Sequence, residues 1–393
     1  MSEQIVITGI ARTPMGGFQG ALSTAAAVQL GAAAIGGALN SSKLESDAID
    51  EVVMGCVLAA GLGQAPARQA ALGAGLPLTT GCTTINKMCG SGMKATMIAH
   101  DLLKAGTNRV MMAGGLESMS NAPYLLPKAR AGMRMGHGQA LDHMFLDGLE
   151  DAYDKGKLMG VFAENTAEKY GFTREQQDAF AITSLQRAQR AIESGDFADE
   201  ITPLILQTRK GEVTVDTDEQ PFNADLDKIP QLRPAFRADG TVTAANSSSI
   251  SDGAAALVLM GESEAEKRAL NPLALIRAHA THAQEPAWFT TAPVAAVEKV
   301  LAAAGWSVDD VDLFEINEAF AVVTMAAMTD LGLDHAKVNV NGGACALGHP
   351  IGASGARIIV TLIAALQRRG LRKGVAALCI GGGEATAIAI EAM

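Results

Sequence analysis

The sequence predicts an α/β protein made of two duplicated halves with a long segment inserted between them. Residues 1–120 alternate short strand-like runs with alanine-rich helical runs, and the same alternation resumes near residue 250 and continues to the end. The segment between them departs from this pattern and is polar from 207 to 246. Because strands that alternate with helices usually pair in parallel, we expect a mainly parallel sheet covered by helices.

The first half contains three strand-like runs and two helical runs. A strand is expected at residues 5–8, and short apolar runs closed by glycine predict buried strands at 52–55 and 110–115. Alanine-rich stretches predict helices at residues 20–40 and 90–105. These elements are enough for one layer of strands with helices packed against it.

The inserted segment is expected to cover a functional site with loops, since long loops in compact proteins are usually functional. Within it a charged helix is predicted at residues 173–194, where Thr173 and Gln176 have capping-box spacing. The predicted division has three parts: an N-terminal half (residues 1–120 with 249–270), an inserted loop domain (121–248) and a C-terminal half (271–393).

A faint repeat supports the duplication. The run Ser91 to Lys94 opens a predicted helix, and the strand after it ends in a glycine pair. The run Ser354 to Arg357 opens a second predicted helix, and its strand ends in the glycines 381–383. Both runs read Ser-Gly-x-basic, which predicts two similar halves that face each other. Coincidence in a chain rich in alanine and glycine is the alternative.

Composition narrows the classes of function. The formal net charge of −11 argues against nucleic acid as the main partner. No apolar stretch reaches the roughly 18 residues of a membrane span, and no signal-like segment precedes the first strand, so a cytoplasmic location is expected. The five cysteines have neither CxxC nor zinc-ligand spacing, which indicates free thiols, and no metal ligands are assigned.

Cys89 is the first candidate for chemistry. It lies in the run Asn86 to Gly92, between a strand-like run and a helical run. A helix that begins near residue 90 would place the thiol at its positive end, where the pKa of a cysteine is lowered. The small residues that follow would let a substrate reach the sulfur. The alternative is a small buried hydrophobic residue, the usual role of cysteine.

His349 and Cys379 also lie at glycine-rich turns. A neutral imidazole at His349 could take the proton of a nearby thiol, whereas the alternative is a loop histidine that caps a backbone carbonyl. Cys379 ends an apolar strand, at the sheet edge where α/β sites form. The glycines after it offer N–H groups to an oxyanion. A packing cysteine at a strand end is the alternative there.

Asn317 lies where a strand-like run changes to a helix. Its amide could hold a water or a carbonyl oxygen, although an ordinary N-cap is the alternative. No chemistry is assigned to Cys345, and no segment matches a phosphate-binding loop. The remaining histidines share no motif and are interpreted as surface or core residues: His100, His137, His143, His279, His282 and His335.

Five motifs in order along the chain resemble those of the thiolases, most closely the short-chain thiolases that form acetoacetyl-CoA. They are Asn86 to Lys94, Asn317 to Phe320, Asn339 to Ala344, Gly348 to Gly355, and Cys379 to Gly383. The resemblance covers essentially the whole chain. It implies a five-layer α-β-α-β-α core of two duplicated halves, with an inserted loop domain that carries CoA-binding and oligomer contacts.

The resemblance implies a ping-pong acyl transfer among acetyl-CoA, acetoacetyl-CoA and CoA, with no cofactor and no metal. Cys89 would carry the acyl group, and His349 would take its proton and later donate to the thioester oxygen. Cys379 would act as general acid and base. Asn317 would hold a water of the oxyanion hole, and the backbone N–H of Gly381 would bind the acyl oxygen. A homo-oligomer, either dimer or tetramer, is expected.

The resemblance also assigns substrate or CoA contacts. The residues expected to contact the substrate or CoA are Ser248, Met159, Leu158, Phe289, Ala319, Phe320 and Lys228. Short-chain thiolases often have a histidine where this chain has Leu158, so a 3-ketoacyl-CoA thiolase with a broader or longer acyl range is the alternative. Lys228, Arg233 and Arg237 lie in the loop expected near the nucleotide end of CoA, and solvated loop charge is their other interpretation.

Two more distant classes compete with this interpretation. A condensing synthase of the same fold that works from malonyl groups uses two histidines and one cysteine, and the thiol of Cys379 argues against it. A non-enzymatic acyl-CoA or lipid carrier would not need Cys89, His349, Cys379 and Asn317 together. The sequence therefore favours an acyltransferase.

Overall fold

The computed structural model describes residues 3–208 and 211–393. Its strands, in chain order, are β1 (Ile5–Arg12), β2 (Gly16–Gly17), β3 (Glu51–Gly55), β4 (Gly81–Ile85), β5 (Val110–Ser118), β6 (Tyr124–Leu125), β7 (Leu141–Asp142), β8 (Leu204–Thr208), β9 (Gly211–Val215), β10 (Ser251–Gly261), β11 (Ala274–Ala283), β12 (Leu313–Ile316), β13 (Lys373–Ile380) and β14 (Glu384–Ala392).

The helices lie between these strands in the chain, much as the alternation of strand-like and helical runs predicts. They are α1 (Ala27–Ser42), α2 (Pro66–Gly73), α3 (Ser91–Lys104), α4 (Met159–Tyr170), α5 (Arg174–Glu193), α6 (Gln220–Asn223), α7 (Glu262–Lys267), α8 (Ala292–Ala304), α9 (Ala321–Leu331), α10 (Ala344–Leu347) and α11 (Ser354–Arg369).

The main sheet is mixed, so the expectation of a mainly parallel sheet is wrong. Its order is β12-β13-β14-β11-β1-β10-β5-β3-β4, with β2 beside β10. Among the named strands of the described residues, the parallel pairs are β3 with β4, β3 with β5, and β12 with β13, and the other pairs are antiparallel. The turn 381–383 is too short for a crossover, so β14 must run antiparallel to β13. β10 returns from the inserted segment antiparallel to both β1 and β5.

The strand order repeats from one half to the other. In β1-β10-β5-β3 the first two pairings are antiparallel and the third is parallel. The series β11-β14-β13-β12 has the same directions. Strand β4, at the end of the first series, also has a counterpart in the second half. Val338 pairs in parallel with Phe314 of β12, just as β4 pairs in parallel with β3. The duplicated halves predicted from the sequence are therefore confirmed.

Five layers follow from the way in which the helices cover these strands. Helices α1 and α2 pack on the outer side of the first half, and α8 and α9 pack on the second. Helices α3 and α11 lie between the halves in one apolar core, where Met97 and Ile359 share a cluster with Ile7 and Leu378. This is the predicted α-β-α-β-α arrangement.

The glycines of the sequence repeat bring α3 and α11 together. A Cβ atom on Gly92 would lie 2.7 Å from the backbone nitrogen of Ala356, and one on Gly355 would collide with the backbone nitrogen of Met93. Any side chain at these positions would force the helices apart. Because Cys89 and His349 lie just before these helices, the close contact also fixes the relative positions of the two residues.

The inserted segment holds more regular structure than its sequence suggests. Helix α5 is capped by Thr173, whose side chain accepts from the backbone N–H of Gln176, as predicted. Helix α4 was not predicted, because its sequence has no clean apolar period. The division at residues 120, 248 and 270 stays a prediction. Within the ranges that the structure describes, no helix is long and apolar enough to cross a membrane.

Candidate active site

Cys89 lies in a tight turn between β4 and α3. Met88 has a φ of 45°, a left-handed conformation that costs a non-glycine residue free energy. The hydroxyl of Ser91 accepts from the backbone N–H of Lys87 at 2.8 Å and donates to the carbonyl of Met88 at 2.6 Å. These bonds hold the strained turn closed and set the direction of the Cys89 side chain.

The thiol of Cys89 is weakly acidic, contrary to the sequence expectation of a lowered pKa. Burial raises its pKa to about 11, although the backbone N–H groups of Gly381 and of Cys89 itself act in the opposite direction and lower it. Desolvation of the thiolate thus outweighs both N–H donors. The thiol is protonated at neutral pH, so a nearby base must activate it.

His349 has the proton arrangement that such a base needs. Its Nδ1 lies 2.6 Å from the hydroxyl of Ser354, and that hydroxyl donates its only hydrogen to the carbonyl of Pro350 at 3.0 Å. This arrangement favours the tautomer in which Nδ1 carries the ring proton. Nε2 is buried and has no hydrogen-bond partner within the described part of the chain. Burial, followed by the charge of Arg357, lowers the pKa to about 3, so the ring is neutral.

We expect this buried neutral ring to make the protein less stable in acid. The pKa of His349 falls from 6.5 to about 3 on folding, so the unfolded chain binds the proton more readily between these values. Stability should fall as pH drops through that range, by about 2 kcal/mol at pH 5. Thermal unfolding of His349→Gln should lose less stability than wild type between pH 7.5 and pH 5.

The exposed histidine His137 supplies the matched control, because its ring is in water in both states. His137→Gln should keep the full acid dependence of the wild-type protein. An equal acid dependence in wild type and His349→Gln would contradict a buried, neutral His349.

Cys379 and Asn317 lie deeper than Cys89. Cys379 is fully buried near the end of β13, in an apolar cluster with Phe289 and Phe320. Burial and then the charge of Cys89 raise its pKa well above the ordinary value. Asn317 is 1% exposed, and both polar atoms of its amide lack a partner among the described residues. A buried amide in this position needs a water or a ligand.

A cavity of about 650 Å³ is lined by both Cys89 and His349. Its lining includes most of the predicted residues: Cys89, His349, Gly381, Leu158, Met159, Ser248, Phe289, Ala319 and Phe320. Cys379 does not line the cavity but packs with its wall residues Phe289 and Phe320, and Asn317 is also outside the lining. Lys228 lies away from the cavity lining, in the short helix Leu226–Gln231, where its ammonium is exposed and lies 2.9 Å from Asp225.

Sequence reasoning missed a buried carboxylate beneath the site. Glu117 of β5 is fully buried and accepts from the backbone N–H groups of Val57, Leu58 and Gly352 at 2.9–3.0 Å. Burial raises its pKa to about 7 although these donors stabilise the charge. Gly352 belongs to the loop of His349, so Glu117 ties that loop to the first half. A lone acidic residue after the glycine pair 114–115 was the available signal.

Substitution of Glu117 should impair catalysis more than folding. In Glu117→Gln the amide nitrogen would face backbone N–H donors, and each unmet buried donor costs about 1–3 kcal/mol. We expect kcat to fall roughly tenfold or more as the His349 loop shifts, with a smaller change in KM. The exposed Glu298→Gln, on the outer helix α8, is the control. Equal kcat in both variants would refute the positioning role.

Two family models match the chain, one described as "Thiolase, N-terminal domain" over residues 5–263 and one as "Thiolase, C-terminal domain" over residues 270–392. An acetyl-CoA acetyltransferase of Pseudomonas aeruginosa is 50% identical over 390 residues, which is 99% of each chain. Acetyl-CoA acetyltransferase 2 of Arabidopsis thaliana is 51% identical over 393 residues, 99% of this chain and 97% of its own.

Solved structures match the fold over its full length. The acetyl-CoA acetyltransferase of Bacillus anthracis superposes with a TM-score of 0.97 at 43% identity, covering 100% of this chain and 99% of its own. The Acat5 thiolase of Ascaris suum, solved in complex with coenzyme A, gives 0.94 at 42% identity and covers 100% of both chains.

Proposed function

The chain belongs to the thiolase family, and on that premise we propose that it catalyses the acetyl-CoA C-acetyltransferase reaction. Two acetyl-CoA molecules would condense reversibly to acetoacetyl-CoA and CoA. The observation that carries this proposal is the cavity that joins Cys89 to the neutral ring of His349, with the thiol of Cys379 behind it. Relatives of about half-identical sequence over their full length carry the name of this reaction.

The first half-reaction moves an acetyl group onto Cys89. The lone pair on Nε2 of His349 takes the thiol proton as sulfur attacks the thioester carbonyl. The new S–C bond forms, the bond to CoA breaks, and the imidazolium returns the proton to the departing CoA sulfur. The N–H groups of Cys89 and Gly381, which lower the pKa of this sulfur, would bind the acyl oxygen.

The second half-reaction needs a base for the methyl carbon of the second acetyl-CoA. We assign that base to Cys379: its thiol proton would pass to Nε2 of His349, which is free again once CoA has been protonated, and the resulting thiolate would remove the methyl proton. The carbanion would attack the acyl-Cys89 carbonyl, the bond from that carbonyl carbon to the Cys89 sulfur would break, and the Cys89 thiolate would take its proton back from His349. His349, once Nε2 carries a proton, and a water on Asn317 would hold the enolate oxygen. In the thiolytic direction the raised pKa of Cys379 suits it to protonate the departing acetyl-CoA.

The acyl-chain range is the part of the function that needs a direct test. Leu158 lies in the cavity wall with Phe289 and Phe320, so the wall is apolar where short-chain thiolases often have a histidine. This favours a 3-ketoacyl-CoA thiolase of longer range as a second candidate. We expect kcat/KM to be highest on acetoacetyl-CoA. A large preference for a six- or eight-carbon 3-oxoacyl-CoA would support the second candidate instead.

We also propose that the protein is a cytoplasmic homo-oligomer, a dimer or a tetramer. Strand β4 is the edge of the main sheet and is partly exposed, and such an edge favours pairing with a second copy. Lys228 remains our proposed contact for the nucleotide end of CoA, supported by the resemblance and by its exposure. Sedimentation equilibrium would report the oligomer, and a monomer at micromolar concentration would contradict it.

A further inference from the structure

A cluster of two histidines and one carboxylate lies where the two halves meet, away from the cavity. His100 and Asp101 are in the last turns of α3, and His279 is on β11. The chain separates His279 from His100 by 179 residues. Their ligand atoms are mutually close: His279 Nε2 lies 3.2 Å from His100 Nδ1 and 2.9 Å from Asp101 Oδ1, which is 3.0 Å from His100 Nδ1.

We propose that these three side chains form a binding site for a divalent transition-metal ion. Bonds of about 2.0–2.1 Å at right angles separate neighbouring ligand atoms by about 2.8–3.0 Å, and tetrahedral bonds separate them by about 3.3–3.4 Å. The observed separations of 2.9–3.2 Å fall between these values. One ion above the triangle would therefore reach all three atoms with small side-chain shifts.

The site is arranged before any ion arrives. The two imidazole rings stand at 88° with centroids 4.9 Å apart, and the ring nitrogens His279 Nε2 and His100 Nδ1 are only 3.2 Å from each other. The side chains of His100 and His279 are 11% and 19% exposed, which restricts their rotamers, whereas Asp101 is 60% exposed. The open side would admit the ion and leave positions for water.

The ligand set selects the class of metal. Two imidazoles with one carboxylate suit zinc, cobalt, nickel or ferrous iron, and not magnesium or calcium, which prefer oxygen ligands. Helix α3 carries Cys89 at one end and this cluster near the other, about 15 Å apart along the axis. Since α3 belongs to the first half and β11 to the second, a bound ion would clamp the two halves together and stabilise the fold.

The test is a titration of the intact protein with Co²⁺ alone, followed by visible absorption and equilibrium dialysis. Wild type should bind one ion per chain, with bands from nitrogen and oxygen ligands and a higher melting temperature. His279→Gln keeps a group that can hydrogen-bond to Asp101 but is a poor ligand. The affinity of His279→Gln for Co²⁺ should be at least roughly 10–100-fold lower, which is the loss typical when a residue that only hydrogen-bonds to a metal ligand is removed.

Two further variants separate a metal site from a hydrogen-bonded cluster. Asp101→Asn alters an exposed side chain, should leave the fold intact and should weaken Co²⁺ binding similarly. His282→Gln, on the same strand but outside the cluster, should bind as wild type does. The absence of saturable binding, equal binding by His279→Gln, or strong sulfur-to-cobalt bands from the cysteines would each overturn the proposal.

Discussion

Cys89→Ala should abolish turnover in both directions, with a loss of roughly 10⁴-fold or more in kcat. We assign the acyl group to Cys89 because its sulfur lines the cavity together with the neutral base His349. The fold should be unchanged, since the bonds from Ser91 that close the turn do not involve the thiol. Steady-state condensation and thiolysis would measure the loss.

Cys82→Ala is the matched control for Cys89. Cys82 is a partly buried thiol on the preceding strand β4 and does not line the cavity. It should retain wild-type turnover and should leave Cys89 open to alkylation by iodoacetamide. Turnover by Cys89→Ala above about a tenth of wild type would show that another group carries the acyl chain.

Cys379→Ser should separate the two half-reactions. A hydroxyl is far less acidic than a thiol, so the variant cannot readily form the anion that removes the methyl proton. We expect condensation to fall by about 10²–10⁴-fold, the usual contribution of a general acid or base. Acetylation of Cys89, seen as CoA release from acetyl-CoA, should be nearly unchanged.

Cys345→Ser is the control for this change, because its sulfur donates to the carbonyl of Glu318 at 3.7 Å and lies outside the cavity wall. Exchange of the acetyl-CoA methyl protons for deuterium in heavy water is a second measurement of proton removal by Cys379. Wild type and Cys345→Ser should exchange, and Cys379→Ser should not. Equal losses in both half-reactions of Cys379→Ser would show that the division between the two thiols is wrong.

The fold was predictable where local patterns decide it. Apolar runs closed by glycine located β3 and β5, and the repeated Ser-Gly runs located α3 and α11. Strand direction was not predictable in this way, because β10 pairs with β1 across most of the chain, as Ile10 with Leu257 shows. Helix α4 was missed because its sequence has no clean apolar period. Its apolar residues pack in a cluster with residues that are distant in the chain, such as Phe289 and Phe320.

The candidate site was predictable as a set of residues but not in its electrostatics. Glycine-rich turns singled out Cys89 and His349, and the cavity brings them together. The pKa direction of Cys89 was wrong because it depends on burial by residues from both halves, which no local run encodes. Glu117 was missed because its role depends on backbone donors in two other loops, at Val57 and at Gly352.

The central claim is that Cys89 forms the covalent intermediate while Cys379 handles protons. The most direct measurement is to mix Cys379→Ser with acetyl-CoA, quench in acid, digest, and locate the added acetyl mass by mass spectrometry. We predict a stoichiometric acetyl group on the peptide that contains Cys89 and on no other. Acetyl on a different side chain, or no covalent adduct, would contradict the account.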